Sequence, residues 1–173
     1  SSAASDVYKR QNRDFLLDSS FAESTGISLL PDPFFFDYFG KKIALSHGDM
    51  FCIDDTEYQT FKKQVRSPKW KTEFLNKSLD ERKSIASSMR DASKKNSSQK
   101  DLMIMDVNIN EVASFFDKHG IDLLIHGHTH KPNIHELDGK NSKLKRVVLG
   151  DWDKTGWCFY LDSISQNLEE FKI

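Results

Sequence analysis

The chain has 173 residues, enough for one domain with a sizeable core. Its 25 Lys and Arg oppose 26 Asp and Glu, and the formal net charge of -1 excludes a global field that would draw nucleic acid or an anionic membrane. No apolar run approaches the ~18 residues that a membrane span needs, and the two cysteines, Cys52 and Cys158, form no CxxC pair and read as reduced thiols of a cytosolic protein.

Ser1 to Gln11 lacks the apolar core of a signal peptide and shares no pattern with the rest of the chain. It reads as a non-native leader without fixed structure, with the natural N-terminus missing. A short helix is expected around Phe21 to Glu23, stopped by Gly26, and Pro31-Asp32-Pro33 makes a turn. Phe34 to Phe39 and Lys42 to Ser46 flank Gly40 as a hairpin. The unalternating Phe34, Phe35 and Phe36 suggest a strand covered on both faces, or an edge near a partner. Asp54 or Asp55 can cap a helix through Tyr58, Phe61 and Val65. A second helical stretch runs from about Leu79 to near Asn96, and Ser93 to Lys100 is polar enough for a loop. Asn110 to His119 is another helix, ended by Gly120. The apolar run Ile121 to Ile125 reads as a buried strand, and further strand-rich runs lie at Lys145 to Leu149, Trp157 to Leu161 and Leu168 to Phe171. Together these imply an α/β fold with a layered sheet.

The chemistry concentrates in His126-Gly127-His128-Thr129-His130, where three of the six histidines fall within five residues at a strand end. Strand ends of open α/β sheets gather ligands. Imidazoles two residues apart can converge on a metal once the backbone turns, and Gly127 permits the turn. Neutral imidazole suits Mn, Fe, Co or Zn. A polar loop with incidental histidines is the plainer alternative. Against it stands a second apolar strand ending in His-Gly, Ile43 to Asp49, which places His47 in a like position. Asn12-Arg13-Asp14 is a weaker element: an Asn carbonyl is a hard ligand and Arg grips phosphate with two donors. A two-metal hydrolase also needs bridging carboxylates, and no Asp-x-His or Gly-Asp-x-x-Glu pattern stands upstream of Asn12. Arg90, Ser93, Ser97 and Lys100 are spaced to line one helix face; by spacing alone a solvated face accounts for them.

Further elements occur in a fixed order: Asn12-Arg13-Asp14-Phe15-Leu16-Leu17, His47-Gly48-Asp49, Asp54-Asp55-Thr56-Glu57-Tyr58-Gln59, Met89-Arg90-Asp91-Ala92-Ser93 and Met105-Asp106-Val107-Asn108. His126-Gly127-His128-Thr129-His130-Lys131-Pro132 and Leu149-Gly150-Asp151-Trp152 come after them. From Asn12 to the C-terminus the chain resembles the UDP-2,3-diacylglucosamine pyrophosphatases of lipid A biosynthesis, within the calcineurin-like metallophosphoesterases. The His-Gly-Asp and Gly-His-x-His elements mark only the superfamily, and the Asp-Asp-x-x-Tyr-Gln, Met-Arg-x-x-Ser and Met-Asp-Val-Asn elements point to this family.

The resemblance implies a four-layer α/β/β/α fold with a helical cap at about 66–100, over residues 12–173. It implies two manganese ions, with Asn12, His47 and His128 ligating one and His130 the other, and it leaves His126 outside the ligand set. Asn12, Arg13, Asp55, Ser93, Ser97, Lys100 and His128 would contact substrate, with Arg90 and Tyr58 as weaker members of the pocket. The implied reaction is hydrolysis of UDP-2,3-diacylglucosamine to UMP and 2,3-diacylglucosamine 1-phosphate. Water would be the nucleophile, at the cytoplasmic face of a Gram-negative inner membrane, with no catalytic side chain beyond the metal centre and no nucleic-acid partner. Two departures matter: Gln11 stands where the family has Gly, and the leading segment with its Asp-x-His and bridging Asp is absent. The chain by itself is therefore expected to be inactive. Alternatives are another calcineurin-like phosphoesterase, such as a nuclease, or a non-catalytic metal- or lipid-binding module.

Overall fold

The computed structural model describes residues 7–10, 14–99, 106–139 and 143–173, the side chains at 94 and 96–99 excepted. The chain divides into two compact units, one of Ser1–Phe51 with Ile109–Ile173 and one of Cys52–Asn108.

In the first unit, β1 (Val7–Tyr8) pairs in parallel with β2 (Ser28–Leu29) across helix α1 (Ser19–Thr25). Asp18 caps α1 by accepting from the Phe21 amide, and Gly26 ends it at φ 73. The expectation of an unstructured leader therefore fails for Val7 to Arg10. The Leu30 amide donates to the Tyr8 carbonyl, the Lys9 ammonium reaches the Pro31 carbonyl and Asp32, and an Arg10 guanidinium NH donates to the Leu17 carbonyl. An extended segment tied at successive residues in this way has reason to stay in place. Residues 1–6 and Gln11 lie outside the described residues.

The main sheet has the order β3-β4-β5-β7-β6, from β3 (Phe34–Tyr38), β4 (Lys41–Ser46), β5 (Leu123–His126), β6 (Asn133–Asp138) and β7 (Lys143–Val148). The β3–β4 hairpin turns through Phe39 and Gly40, both at positive φ (46 and 71), the backbone pair that matches the strand twist. The inner pairs β4–β5 and β5–β7 are parallel, and the outer pairs are antiparallel. This mixed sheet makes the unit α/β.

One face of the sheet carries the side chains of Phe36, Ile43, Leu123, Ile125, Val147 and Ile134. They pack with Phe159, Leu161 and Leu168 of the separate β8 (Thr155–Leu161) and β9 (Gln166–Lys172) ribbon. The other face meets helix α5 (Ile109–His119), where Phe35 stacks 6.0 Å from Phe115 and 4.9 Å from His119. The phenylalanine run is thus covered on both faces while lying at a sheet edge. Val112, Phe115 and Phe116 form the buried stripe of α5, and Gly120 closes it at φ 59. Each aliphatic side chain that is fully buried here contributes about 1.5–3 kcal/mol. Helix, sheet and ribbon supply an α/β/β succession, three of the four layers implied by the resemblance.

The second unit is helical, with α2 (Thr56–Val65), α3 (Pro68–Leu75) and α4 (Leu79–Gln99). Asp55 caps α2 by accepting from the Tyr58 amide at 3.0 Å. Ser67 caps α3, and Pro68 occupies its first turn, where a missing N–H costs nothing. A reciprocal box opens α4: the Ser78 amide donates to the Glu81 carboxylate, and the Glu81 amide donates to the Ser78 hydroxyl. The loop expected from Ser93 onward is helix as far as Gln99, because nothing in 79–99 is Gly or Pro and its Ala, Lys, Arg and Gln favour helix. The cap range 66–100 falls inside this unit. Among the described residues no helix is long and apolar enough to cross a membrane.

Candidate metal centre

Because β4 and β5 are parallel neighbours, Ser46 lies opposite His126 in the register, and both chains leave the sheet at the same edge. The two His-Gly segments are thereby side by side, and the Gly127 amide donates to the His47 carbonyl at 3.1 Å. The His47 and His128 rings meet with centroids 4.9 Å apart and planes inclined by 63°. The residue pairing that aligns the strands is what gathers these histidines, at the carboxyl edge where such sheets collect ligands.

Asp32 pins the first loop. One of its carboxylate oxygens accepts from the Ser46 hydroxyl at 2.9 Å and from the His47 amide at 3.2 Å, and Lys9 pairs with it at 2.9 Å. The Gly48 amide donates to the Ser46 hydroxyl. Burial pushes the Lys9 ammonium below its usual range, against the pull of Asp32. Gly48 sits at φ 106, and a Cβ there would stand 2.6 Å from the Nδ1 of His126 and 2.9 Å from the Gly127 carbonyl oxygen. Only glycine allows this approach.

His47 is 1% exposed. Its Nδ1 lies 3.1 Å from an Asp49 carboxylate oxygen, but out of line for a hydrogen bond, and its Nε2 has no hydrogen-bond partner among the described residues. A buried imidazole nitrogen without a partner costs free energy unless something else binds it. Asp32, His47 and Asp49 each place a ligand atom within 4.8 Å of the others. Imidazole with carboxylate oxygen suits a divalent cation of intermediate hardness, so this cluster has the chemistry to hold a divalent ion.

In the second loop, His128 and His130 both take positive φ (68 and 52), and the Thr129 amide donates to the Gly127 carbonyl at 2.9 Å. Left-handed backbone at two non-glycine residues is strain of the kind that clusters at functional sites. His130 is largely exposed, with its Nδ1 3.7 Å from an Asp151 carboxylate oxygen. His126 differs from its neighbours: it is buried, with its Nδ1 2.9 Å from the Gly127 carbonyl oxygen and its Nε2 3.2 Å from an Arg146 nitrogen.

The other predicted site residues that the structure describes belong to the helical unit. Asp55 is buried at the start of α2, Tyr58 lies in its first turn, and Arg90 and Ser93 are exposed on α4. Ser97 belongs to α4 by its backbone, and Asn12, Arg13 and Lys100 lie outside the described residues. Sequence reasoning did not assign roles to Asp32, Asp49, Arg146 or Asp151. Asp49 and Asp151 stood within quoted motifs, whereas Asp32 and Arg146 carried no signal: one sits in a proline turn and the other in an ordinary strand.

No family model matches the chain. Curated relatives do. The chain is 46% identical over 145 residues to the UDP-2,3-diacylglucosamine hydrolase of Escherichia coli (strain K12 / DH10B), covering 84% of this chain and 60% of the relative. It is 42% identical over 147 residues to the protein of the same name in Cellvibrio japonicus (strain Ueda107), covering 85% and 61%. The chain thus spans about 60% of the length of the curated relatives it matches. Over that span the chain is similar in sequence to proteins named UDP-2,3-diacylglucosamine hydrolase, and its own fold is mixed α/β.

Proposed function

We propose that the protein to which this chain belongs hydrolyses the pyrophosphate bond of UDP-2,3-diacylglucosamine in lipid A biosynthesis. The observation that carries this reading is the 46% identity to hydrolases of that name, in a chain whose two His-Gly motifs adjoin at one sheet edge. His47, His128, His130 and Asn12 would hold the metal, taken as two manganese ions in the intact enzyme. Divalent cations at such a site supply charge neutralisation for the phosphoryl oxygens and lower the pKa of a water.

The chain's own residues would bind and orient. Arg13 would grip α-phosphoryl oxygens through paired donors, and Asn12 and His128 would contact the same group. Asp55, Ser93, Ser97 and Lys100 would hold the rest of the substrate, with the helical segment at 66–100 shielding the two acyl chains. A water oxygen bonds to the α-phosphorus as the bond to the bridging oxygen breaks. UMP leaves on one side, and 2,3-diacylglucosamine 1-phosphate carries away the bridging oxygen. The work is placed at the cytoplasmic surface of a Gram-negative inner membrane, where a two-chain lipid resides, without nucleic acid.

The carried-over ligand set contains no bridging carboxylate, and two cations left unbridged would repel each other. The chain by itself is therefore proposed to be inactive. The test compares UMP release with manganese by the chain alone and by the chain joined to the leading segment that the family carries. Turnover only in the joined protein is the expected result. A folded, metal-loaded joined protein that releases no UMP would instead favour a non-catalytic metal- or lipid-binding module. Rapid turnover by the chain alone would overturn the requirement for a bridging carboxylate from the leading segment.

A further inference from the structure

We infer that His126 and Arg146 form a positioning pair that locks the two strand-end loops together so that His47 and His128 meet, an inference that rests on reading those histidines as cation ligands. Two partners of His126, the Gly127 carbonyl and the Arg146 guanidinium, favour one arrangement of its ring. A carbonyl oxygen only accepts, so the nitrogen facing Gly127 must carry the proton; a guanidinium only donates, so the nitrogen facing Arg146 must offer its lone pair. A neutral ring with its proton on Nδ1 meets both demands at once.

The contacts then run without a gap from the sheet to the ligands. Arg146 of β7 shares the sheet face of His126, because Leu124 pairs with Arg146 and His126 with Val148. Its guanidinium donates to His126, and the His126 ring donates to the Gly127 carbonyl. The Gly127 amide donates to the His47 carbonyl, so Gly127 is held at its carbonyl by the His126 ring and ties its loop to the other through its amide, next to His128. Gly48 admits the ring, since a side chain there would strike its Nδ1. Both members of the pair are buried, Arg146 at 4% exposure and His126 at 1%. Burying a guanidinium is costly, and apolar residues of similar size would serve packing as well. What an apolar pair could not supply is a donor that fixes the ring's tautomer and orientation, the task that outer partners perform around metal-binding histidines.

The test uses the whole chain and manganese alone, titrated by electron paramagnetic resonance, with circular dichroism to establish folding. His128→Ala serves as the control for the ligand reading. Folded Arg146→Met is expected to bind manganese about tenfold or more weakly, the usual scale for loss of an outer partner. Arg146→Lys, which keeps a donor, should regain most of that loss. Independently of any variant, long-range proton–nitrogen NMR of the wild type should show His126 with its proton on Nδ1. The inference is overturned if folded Arg146→Met binds manganese as tightly as wild type, or if the His126 proton resides on Nε2. If Arg146→Met does not fold, Arg146→Lys and the wild-type spectrum decide. Manganese binding that is absent from wild type, or undiminished in His128→Ala, would sink the ligand reading itself and this inference with it.

Discussion

The His128 imidazole stands 4.9 Å from that of His47, inclined by 63°, though different strands deliver the two rings. Parallel pairing of β4 with β5 brings them together, and His47 arrives buried with an Nε2 that no described residue satisfies. His47→Ala and His128→Ala should each weaken manganese binding by at least about tenfold, the scale on which ligand-shell changes act. The chain's folding should persist, as followed by circular dichroism. A His47→Ala protein that titrates like wild type would remove His47 from the metal centre.

Gly48→Ala should destabilise the chain more than Gly120→Ala. At Gly48 the added methyl meets the His126 ring and the Gly127 carbonyl at a φ of 106, whereas at Gly120 (φ 59) nothing lies within 4 Å. The backbone term alone is worth about 1–2 kcal/mol at either position. Contact with packed atoms adds to it only at Gly48, for a total of roughly 2–4 kcal/mol. In a chain of this size each kcal/mol lowers Tm by about 2–4 °C, so thermal melts resolve the difference. Equal losses would mean that the two loops do not approach each other at Gly48.

Tyr8 gives a pH test of whether β1 is docked. Its hydroxyl donates to the Asp14 carboxylate, and this bond, followed by burial and the repulsion of Asp14, pushes the phenol from 10.0 up to about 12. The unfolded chain therefore loses this proton first. Stability from Tyr8 is fully present below pH 10 and is lost as pH climbs from 10 towards about 12. Urea denaturation of wild type and Tyr8→Phe should show a constant stability gap below pH 10 that narrows above it. Parallel pH profiles throughout would argue that Tyr8 is not held by Asp14.

Lys100→Ala separates the two readings of the helical segment. In the joined, active protein, loss of a charge-assisted bond worth ~1.5–3 kcal/mol should lower kcat/KM by about tenfold or more. Manganese affinity should not change, since Lys100 is not among the proposed ligands. An unaltered kcat/KM would return Arg90, Ser93, Ser97 and Lys100 to a solvated face.

Much of the local structure was legible in the residues. A terminal glycine marked the ends of α1 and α5, a cap marked α2, and Gly40 marked the β3–β4 turn. Local patterns were less informative where polar composition masked regular backbone. Helix α3, strand β6 and the last turn of α4 went unmarked, and Val7 to Arg10 read as unstructured. The two His-Gly motifs were plain, and so was their place at strand ends. What the chain order could not state is which strands would be neighbours. That was decided by the β4-β5-β7 pairing, which seats His47 beside His128 and places the guanidinium of Arg146 against His126. Asp32 joins them only because its turn folds back to accept from Ser46 and His47. Periodicity is a property of successive residues and survives in the sequence; adjacency across a sheet depends on long-range hydrogen bonding and burial, which exist only once the chain has folded.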